Sequence, residues 1–228
     1  MRDLGGHPTE DGRVTRFRAV VRADSIWQLT DRGWEALVSY GIRTIVDLRL
    51  EVEREVDPPH PSSVEIVHVP LGGERLELAW GRGESAAEAV QHAYAELLTS
   101  SRRGVASAVT AVGRAPEGGV LVHCFVGKDR AGLVAALLLR LARVGLGDIA
   151  SDYGQSGENI RPLVGPWIAQ APDDTERERR RRIASSPPQA MVAVLAELER
   201  SHGSVNEYLM GGGATEDDLE RTRSRLLG

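Results

Sequence analysis

The stretch GGVLVHCFVGKDRAGLVAALLLRLARVG, residues 118–145, constrains the architecture of this chain more than any other. After the Gly-Gly turn, VLVH is an apolar strand. AGLVAALLLRLARVG (131–145) is apolar nearly all the way round, which predicts a buried helix. Between them, CFVGKDR (124–130) is a polar loop that carries the chain from strand end to helix start. A strand feeding a buried helix is the unit of an α/β fold. The loop also holds the only cysteine, Cys124, and the only lysine, Lys128, in a sequence whose other basic residues are all arginine.

The rest of the chain repeats the strand-then-helix pattern. RFRAVVRADS (16–25) alternates as a short strand. Thr30 caps TDRGWEALVSYG, a helix with Trp34, Leu37 and Val38 on one face and Gly41 at its end. RTIVDL (43–48) reads as a buried β-branched strand and VEIVHVPL (64–71) as another, with the proline-rich loop DPPHPSS between them. Helices are expected over 85–101, 105–113 and from 145 to 156. The predicted fold is α/β, a mainly parallel central sheet flanked by helices, with a helical C-terminal part. There, PPQAMVAVLAELERSHGS opens on prolines suited to a first turn, and Thr215 with Asp218 forms a capping-box pattern. DDTERERRRRIASS (173–186) reads as a solvated helix or connector, its position leaving a lid or substrate-facing role open. With 228 residues and no repeat, a single domain over 1–228 is expected.

Charge and cysteine content narrow the function classes. A net charge of −5 argues against a dedicated nucleic-acid binder, which needs concentrated positive charge. No apolar run reaches bilayer length and no apolar leader follows Met1, so neither membrane insertion nor secretion is expected. One cysteine cannot form an internal disulfide, and a cytoplasmic location is the expectation. His7, His60, His68, His92 and His202 have no metal-ligand spacing, so no metal or other cofactor is implied.

The loop itself is chemistry-bearing. With the strand ending at His123 and the helix starting near Arg130, the amides of Phe125, Val126, Gly127 and Lys128 converge on one point in front of the helix's positive end. That arrangement suits a phosphate-like anion. Gly127 supplies the backbone freedom a tight loop needs. Arg130, six residues after Cys124, can return to the anion and hold two of its oxygens with its planar fork. The same positive field favours the thiolate, the nucleophilic form of Cys124.

HCFVGKDRAG resembles the His-Cys-x5-Arg signature of cysteine-based protein tyrosine phosphatases, and more narrowly the bacterial group, with mycobacterial members, whose loop reads HCxxGKDR. RDLGG (2–6), the DLR-x3-E pattern in VDLRLEVE (46–53), the D-Y-x-x-S pattern in SDYGQS (151–156) and the closing stretch 202–228 resemble motifs of the same group. The resemblance implies that Cys124 attacks phosphorus to form a phosphocysteine, while Arg130 and the loop amides stabilise the equatorial oxygens. No separate Trp-Pro-Asp segment is present, so the loop's own Asp129 is implied as the acid that protonates the leaving oxygen. Lys128 would then stand at the pocket mouth as a cation for multiply charged substrates. Those implied are phosphorylated proteins, phosphotyrosine foremost, with phosphoserine, phosphothreonine or phosphoinositides beside it. Two departures stand out. Ala131 occupies the position where the signature has Thr or Ser, whose hydroxyl steadies the departing thiolate. RDLGG also stands at the very start, so part of the rim is expected to be built differently.

Other readings stay open for individual residues. A cysteine at a strand end also serves as a small buried hydrophobe. His123 is expected to orient the loop by hydrogen bonding, and Asp129 is either the acid or a structural carboxylate. Asp47, beside Arg49 and Glu53, is expected in a buried ion-pair cluster under the loop, with Asp152 and Tyr153 behind the signature helix. Trp27, Trp34, Trp80 and Trp167 are read as core or pocket walls, Trp80 being the one best placed to touch substrate. The competing functions are a catalytically weak phosphate-binding module, motivated by Ala131, and sulfur transfer of the rhodanese type, whose loop lacks the GKDR spacing.

Overall fold

The computed structural model describes residues 1–55, 57, 59–72 and 85–228. Five strands form one sheet: β1 (Arg2–Asp3), β2 (Val20–Ala23), β3 (Ile42–Asp47), β4 (Glu65–His68) and β5 (Gly119–His123), in the order β1-β2-β5-β3-β4. β2, β5, β3 and β4 run parallel, and β1 is an antiparallel edge. The expected mainly parallel sheet is therefore found. β1 is an addition, too short at two residues for any periodicity to announce it.

Between the strands lie α1 (Asp31–Tyr40), α2 (Ala86–Ser100) and α3 (Arg102–Arg114), and α4 (Arg130–Leu141) follows β5. After them come α5 (Leu146–Gly154), α6 (Ser156–Ala169), α7 (Asp174–Ala184), α8 (Pro188–His202), α9 (Val205–Gly211) and α10 (Glu216–Leu227). Their ends follow local rules. Thr30 accepts from the Gly33 amide to cap α1, and Gly41 closes it in the left-handed region. Pro188 opens α8, and Thr215 with Asp218 completes a reciprocal box on α10. α6 carries Pro162 and Pro166 within it, each removing a helical N–H donor, so the sequence pattern does not announce a helix there.

Alternate strand residues point to opposite faces of the sheet, and the core divides accordingly. Val21, Ile45 and Leu121 pack with Trp34 and Leu37 of α1 on one face. Val20, Val46, Val120 and Val122 join the larger core that includes α2, α3 and α4. Every residue of α4 between its two arginines, Arg130 and Arg140, is buried. The parallel register sets Ala23 and Asp47 on either side of His123, with His68 beyond Asp47, so four strands end together at one edge of the sheet. Ligands of parallel α/β sheets bind at such carboxyl edges.

Candidate active site

The loop from Cys124 to Asp129 leaves β5 at this edge and enters α4 at Arg130. Gly127 has φ +73°, and a Cβ there would lie 2.5 Å from the Ala23 carbonyl oxygen, so both conformation and close approach demand glycine. The Ser25 amide donates to the Phe125 carbonyl at 3.0 Å and the Leu48 amide to the His123 carbonyl at 3.0 Å, fastening the loop to both neighbouring strand ends. Cys124 is 1% exposed and touches the larger core, whereas Phe125 beside it is 47% exposed. Cys124 is within electrostatic reach of the Arg130 guanidinium.

Arg130 is held by a carboxylate fork. Its Nη1 and Nη2 donate to Glu53 Oε2 and Oε1 at 2.5 and 2.7 Å. Burial alone would lower the Arg130 pKa, but Glu53 and the neighbouring Cys124 outweigh it and push it up. Burial would likewise raise Glu53, yet the Arg130 hydrogen bonds hold it below the usual carboxylate range. Glu53 ends the short 3-10 turn Glu51–Glu53 and also accepts from the Leu50 amide at 2.7 Å, so its position is fixed from the backbone side.

Beneath the loop, Asp47 is fully buried and accepts from Arg49 Nε and Nη2 at 3.0 and 2.8 Å. Arg49, equally buried, reaches Ser25 Oγ at 2.8 Å and pairs with Asp57. His123 Nε2 lies 3.4 Å from Asp47 Oδ1 and its Nδ1 3.2 Å from the Cys124 carbonyl oxygen. Burial lowers the His123 pKa despite the Asp47 charge, so the ring is neutral. For Asp47, burial pushes upward, but the Arg49 hydrogen bonds and charge prevail and lower it.

On the other side of the loop, Asp129 Oδ1 accepts from Tyr94 Oη at 2.9 Å and lies 2.9 Å from Lys128 Nζ. Lys128 is 1% exposed. Its ammonium donates to the carbonyls of Ile183 and Ser185, at 2.6 and 2.8 Å, at the C-terminal end of α7.

A family model described as "Tyrosine phosphatase family" matches residues 1–228. The chain belongs to the tyrosine phosphatase family. It is similar to a tyrosine-protein phosphatase of Nostoc commune, 28% identical over 225 residues covering 91% of this chain and 74% of the relative. It is also similar to the triple specificity protein phosphatase PtpB of Mycobacterium tuberculosis, 25% identical over 252 residues covering 91% of this chain and 90% of the relative. The protein is thus a hydrolase of the tyrosine phosphatase type, acting on phosphorylated substrates.

In this phosphatase, Cys124, Phe125, Val126, Gly127, Asp129, Arg130 and Ala131 lie on one loop and the first turn of one helix, with His123 and Asp47 directly below. Lys128 differs from the sequence expectation. Among the described residues its buried ammonium is directed to the carbonyl end of α7, where a cation also complements the helix dipole, and to the Asp129 carboxylate. α7 itself is a helix without buried residues, Arg-rich and laced by pairs such as Arg180–Glu176 at 2.9 Å. Trp34 is core, Trp27 and Trp167 are partly exposed with Arg180 over the Trp167 ring, and Trp80 lies outside the described residues. Asp152 pairs with Arg2 at 2.7 Å and Arg22 at 3.5 Å behind α4, joining RDLGG to D-Y-x-x-S. Two site residues escaped sequence reading as individuals. Glu53 was visible only as the Glu of the DLR-x3-E pattern and as a member of the expected ion-pair cluster around Asp47, and Tyr94 sits in an unremarkable helix. No helix among the described residues is long and apolar enough to cross a membrane.

Proposed function

We propose that this phosphatase hydrolyses phosphomonoesters through a phosphocysteine on Cys124, with protein phosphotyrosine as principal substrate, and that residues 1–228 act as one catalytic unit in the cytoplasm. The observation that carries the reading is Arg130. Its guanidinium, on the first residue of α4 directly after the loop, is forked onto Glu53 at 2.5 and 2.7 Å and lies within electrostatic reach of Cys124. A preorganised cation of this kind stabilises the charge that develops on transferring phosphoryl oxygens.

The Cys124 thiolate attacks phosphorus, forming the S–P bond as the P–O bond to the leaving group breaks, and Asp129 protonates the departing oxygen. Water then attacks phosphorus, Asp129 takes its proton, and the S–P bond breaks to release inorganic phosphate and restore the thiolate. Phe125, exposed on the loop, is the side chain offered to an aryl group. Phosphoserine, phosphothreonine and phosphoinositides are proposed as further substrates, and the name of the mycobacterial relative, a triple specificity protein phosphatase, favours a range wider than phosphotyrosine.

Ala131 favours a second reading, a module that binds phosphate groups with little turnover. Phosphate release from a phosphotyrosyl peptide separates the two. Turnover by the wild type, abolished in Cys124→Ser, is the expected result. Persistent turnover in that variant would remove Cys124 as nucleophile, and binding without release in the wild type would favour the module.

A further inference from the structure

Tyr94 lies within α2, fully buried, and its hydroxyl touches two oxygens: Asp129 Oδ1 at 2.9 Å and Tyr153 Oη, from α5, at 2.8 Å. The two rings meet edge-on, centroids 5.9 Å apart. A phenol has one proton to donate. With the Tyr94 proton on Asp129, the Tyr94 oxygen must accept from Tyr153, which fixes the direction of the chain Tyr153→Tyr94→Asp129. Burial, reinforced by the Asp129 charge, pushes both phenols above their ordinary pKa, so both stay neutral donors wherever the enzyme works.

Lys128 Nζ approaches the same Oδ1 at 2.9 Å. A hydroxyl donor and a cation therefore meet at one oxygen of Asp129. A carboxylic acid whose Oδ1 accepts a hydrogen bond and faces an ammonium carries its own proton on the other oxygen, because a hydrogen on Oδ1 would point at the Tyr94 proton and the cation. The side chain keeps 20% of its surface open. Oδ2 is thus the oxygen left to exchange a proton.

We propose that Tyr94, backed by Tyr153, is a positioning residue for the acid–base steps: together with Lys128 it occupies Asp129 Oδ1 and so makes Oδ2 the proton-transferring oxygen. The Oδ2–H bond breaks as the leaving oxygen gains its proton and the P–O bond opens. In the second half, Oδ2 takes the proton of the attacking water as the S–P bond breaks. The inference rests on the reading of Asp129 as the acid, and it gives the Tyr of the D-Y-x-x-S pattern a task at the site.

The test is a series of aryl phosphates read as kcat/KM, which reports the steps through loss of the leaving group. Tyr94→Phe keeps the ring and removes one donor. It is expected to leave p-nitrophenyl phosphate within about threefold of the wild type and to lower phenyl phosphate by about tenfold or more, since only the poorer leaving group needs a well-aimed acid. Asp129→Asn should steepen the series in the same way, and the double variant should be no worse than Asp129→Asn alone. Equal losses for every leaving group, or losses that multiply with Asp129→Asn, would overturn the role of Tyr94. A flat series in Asp129→Asn itself would instead remove Asp129 as the acid, and the proposal with it. Should circular dichroism find Tyr94→Phe unfolded, Tyr153→Phe is read in the same series, with the same direction of change expected and a uniform loss counting against the proposal.

Discussion

A guanidinium on a helix's first turn has several rotamers, and only a second fork fixes its plane. Glu53 supplies that fork, so the enzyme holds Arg130 in place before substrate arrives rather than recruiting it afterwards. The next residue, Ala131, is fully buried, and its methyl group offers no hydrogen bond to sulfur. A hydroxyl there would donate to the thiolate as the phosphocysteine breaks down, a charge-assisted bond worth about 1.5–3 kcal/mol. Ala131→Ser adds one atom to a closed site and Ala131→Thr two, and overpacking of this kind costs roughly 1–3 kcal/mol of stability. If breakdown limits the wild type, rapid mixing with p-nitrophenyl phosphate shows a burst of p-nitrophenolate. In Ala131→Ser, and in Ala131→Thr where it folds, steady turnover should rise by about tenfold while the burst shrinks. A burst unchanged in both variants would sever Ala131 from the slow step.

At the scale of elements, the unit most fully legible in the sequence was β5, its loop and α4. Strand end, loop length, Gly127 and the buried helix all follow from neighbours within a few residues, so pattern reading sufficed. What it missed are pairings across the chain. Glu53 meets Arg130 from 77 residues away, and Lys128 meets the end of α7 from 55 and 57 residues away. Short β1 and proline-bearing α6 lacked a readable period for reasons of length and composition. Lys128 shows where loop chemistry alone misleads: it assigns a cation in a phosphate-binding signature to phosphate, whereas the ammonium donates to two carbonyls and lies against the Asp129 carboxylate. That geometry also accounts for a lysine among arginines. A compact ammonium fits between Ile183 O and Ser185 O in a closed site, where a larger planar guanidinium would need its neighbours to move. Lys128→Ala should free the end of α7 and cost about 2 kcal/mol, the order expected for hydrogen bonds to a charged group. Lys128→Arg should fail to restore it. Limited trypsin digestion reads this directly, with cleavage in the Arg177–Arg182 run accelerating in both variants. An unchanged cleavage rate would mean that α7 is held by other contacts.

Across the whole molecule, four parallel strands end in a line, and the charges gathered there are paired, one locally and one across the chain. Arg49 answers Asp47, Arg130 answers Glu53, and His123 between the strands stays uncharged. Proton linkage follows from the directions of these shifts. His123 is lowered from its ordinary 6.5, Glu53 from 4.5 and Asp47 from 3.8, so each binds fewer protons in the folded protein than in the unfolded chain. Stability therefore rises with pH through each window and is lost as pH falls, first below about 6.5 through His123 and later through the carboxylates. Between pH 7.5 and 5.0 the urea midpoint should fall steadily, because unfolding lets the imidazole take a proton that its buried place refuses. His123→Asn, lacking a titrating ring, should flatten that dependence even if its midpoint is lower throughout. In the wild type, the imidazole carbon shifts of His123 should remain those of the neutral ring down through pH 6. A midpoint slope equal in wild type and His123→Asn, or a ring that titrates at its ordinary value, would place the acid sensitivity elsewhere than under the phosphate loop.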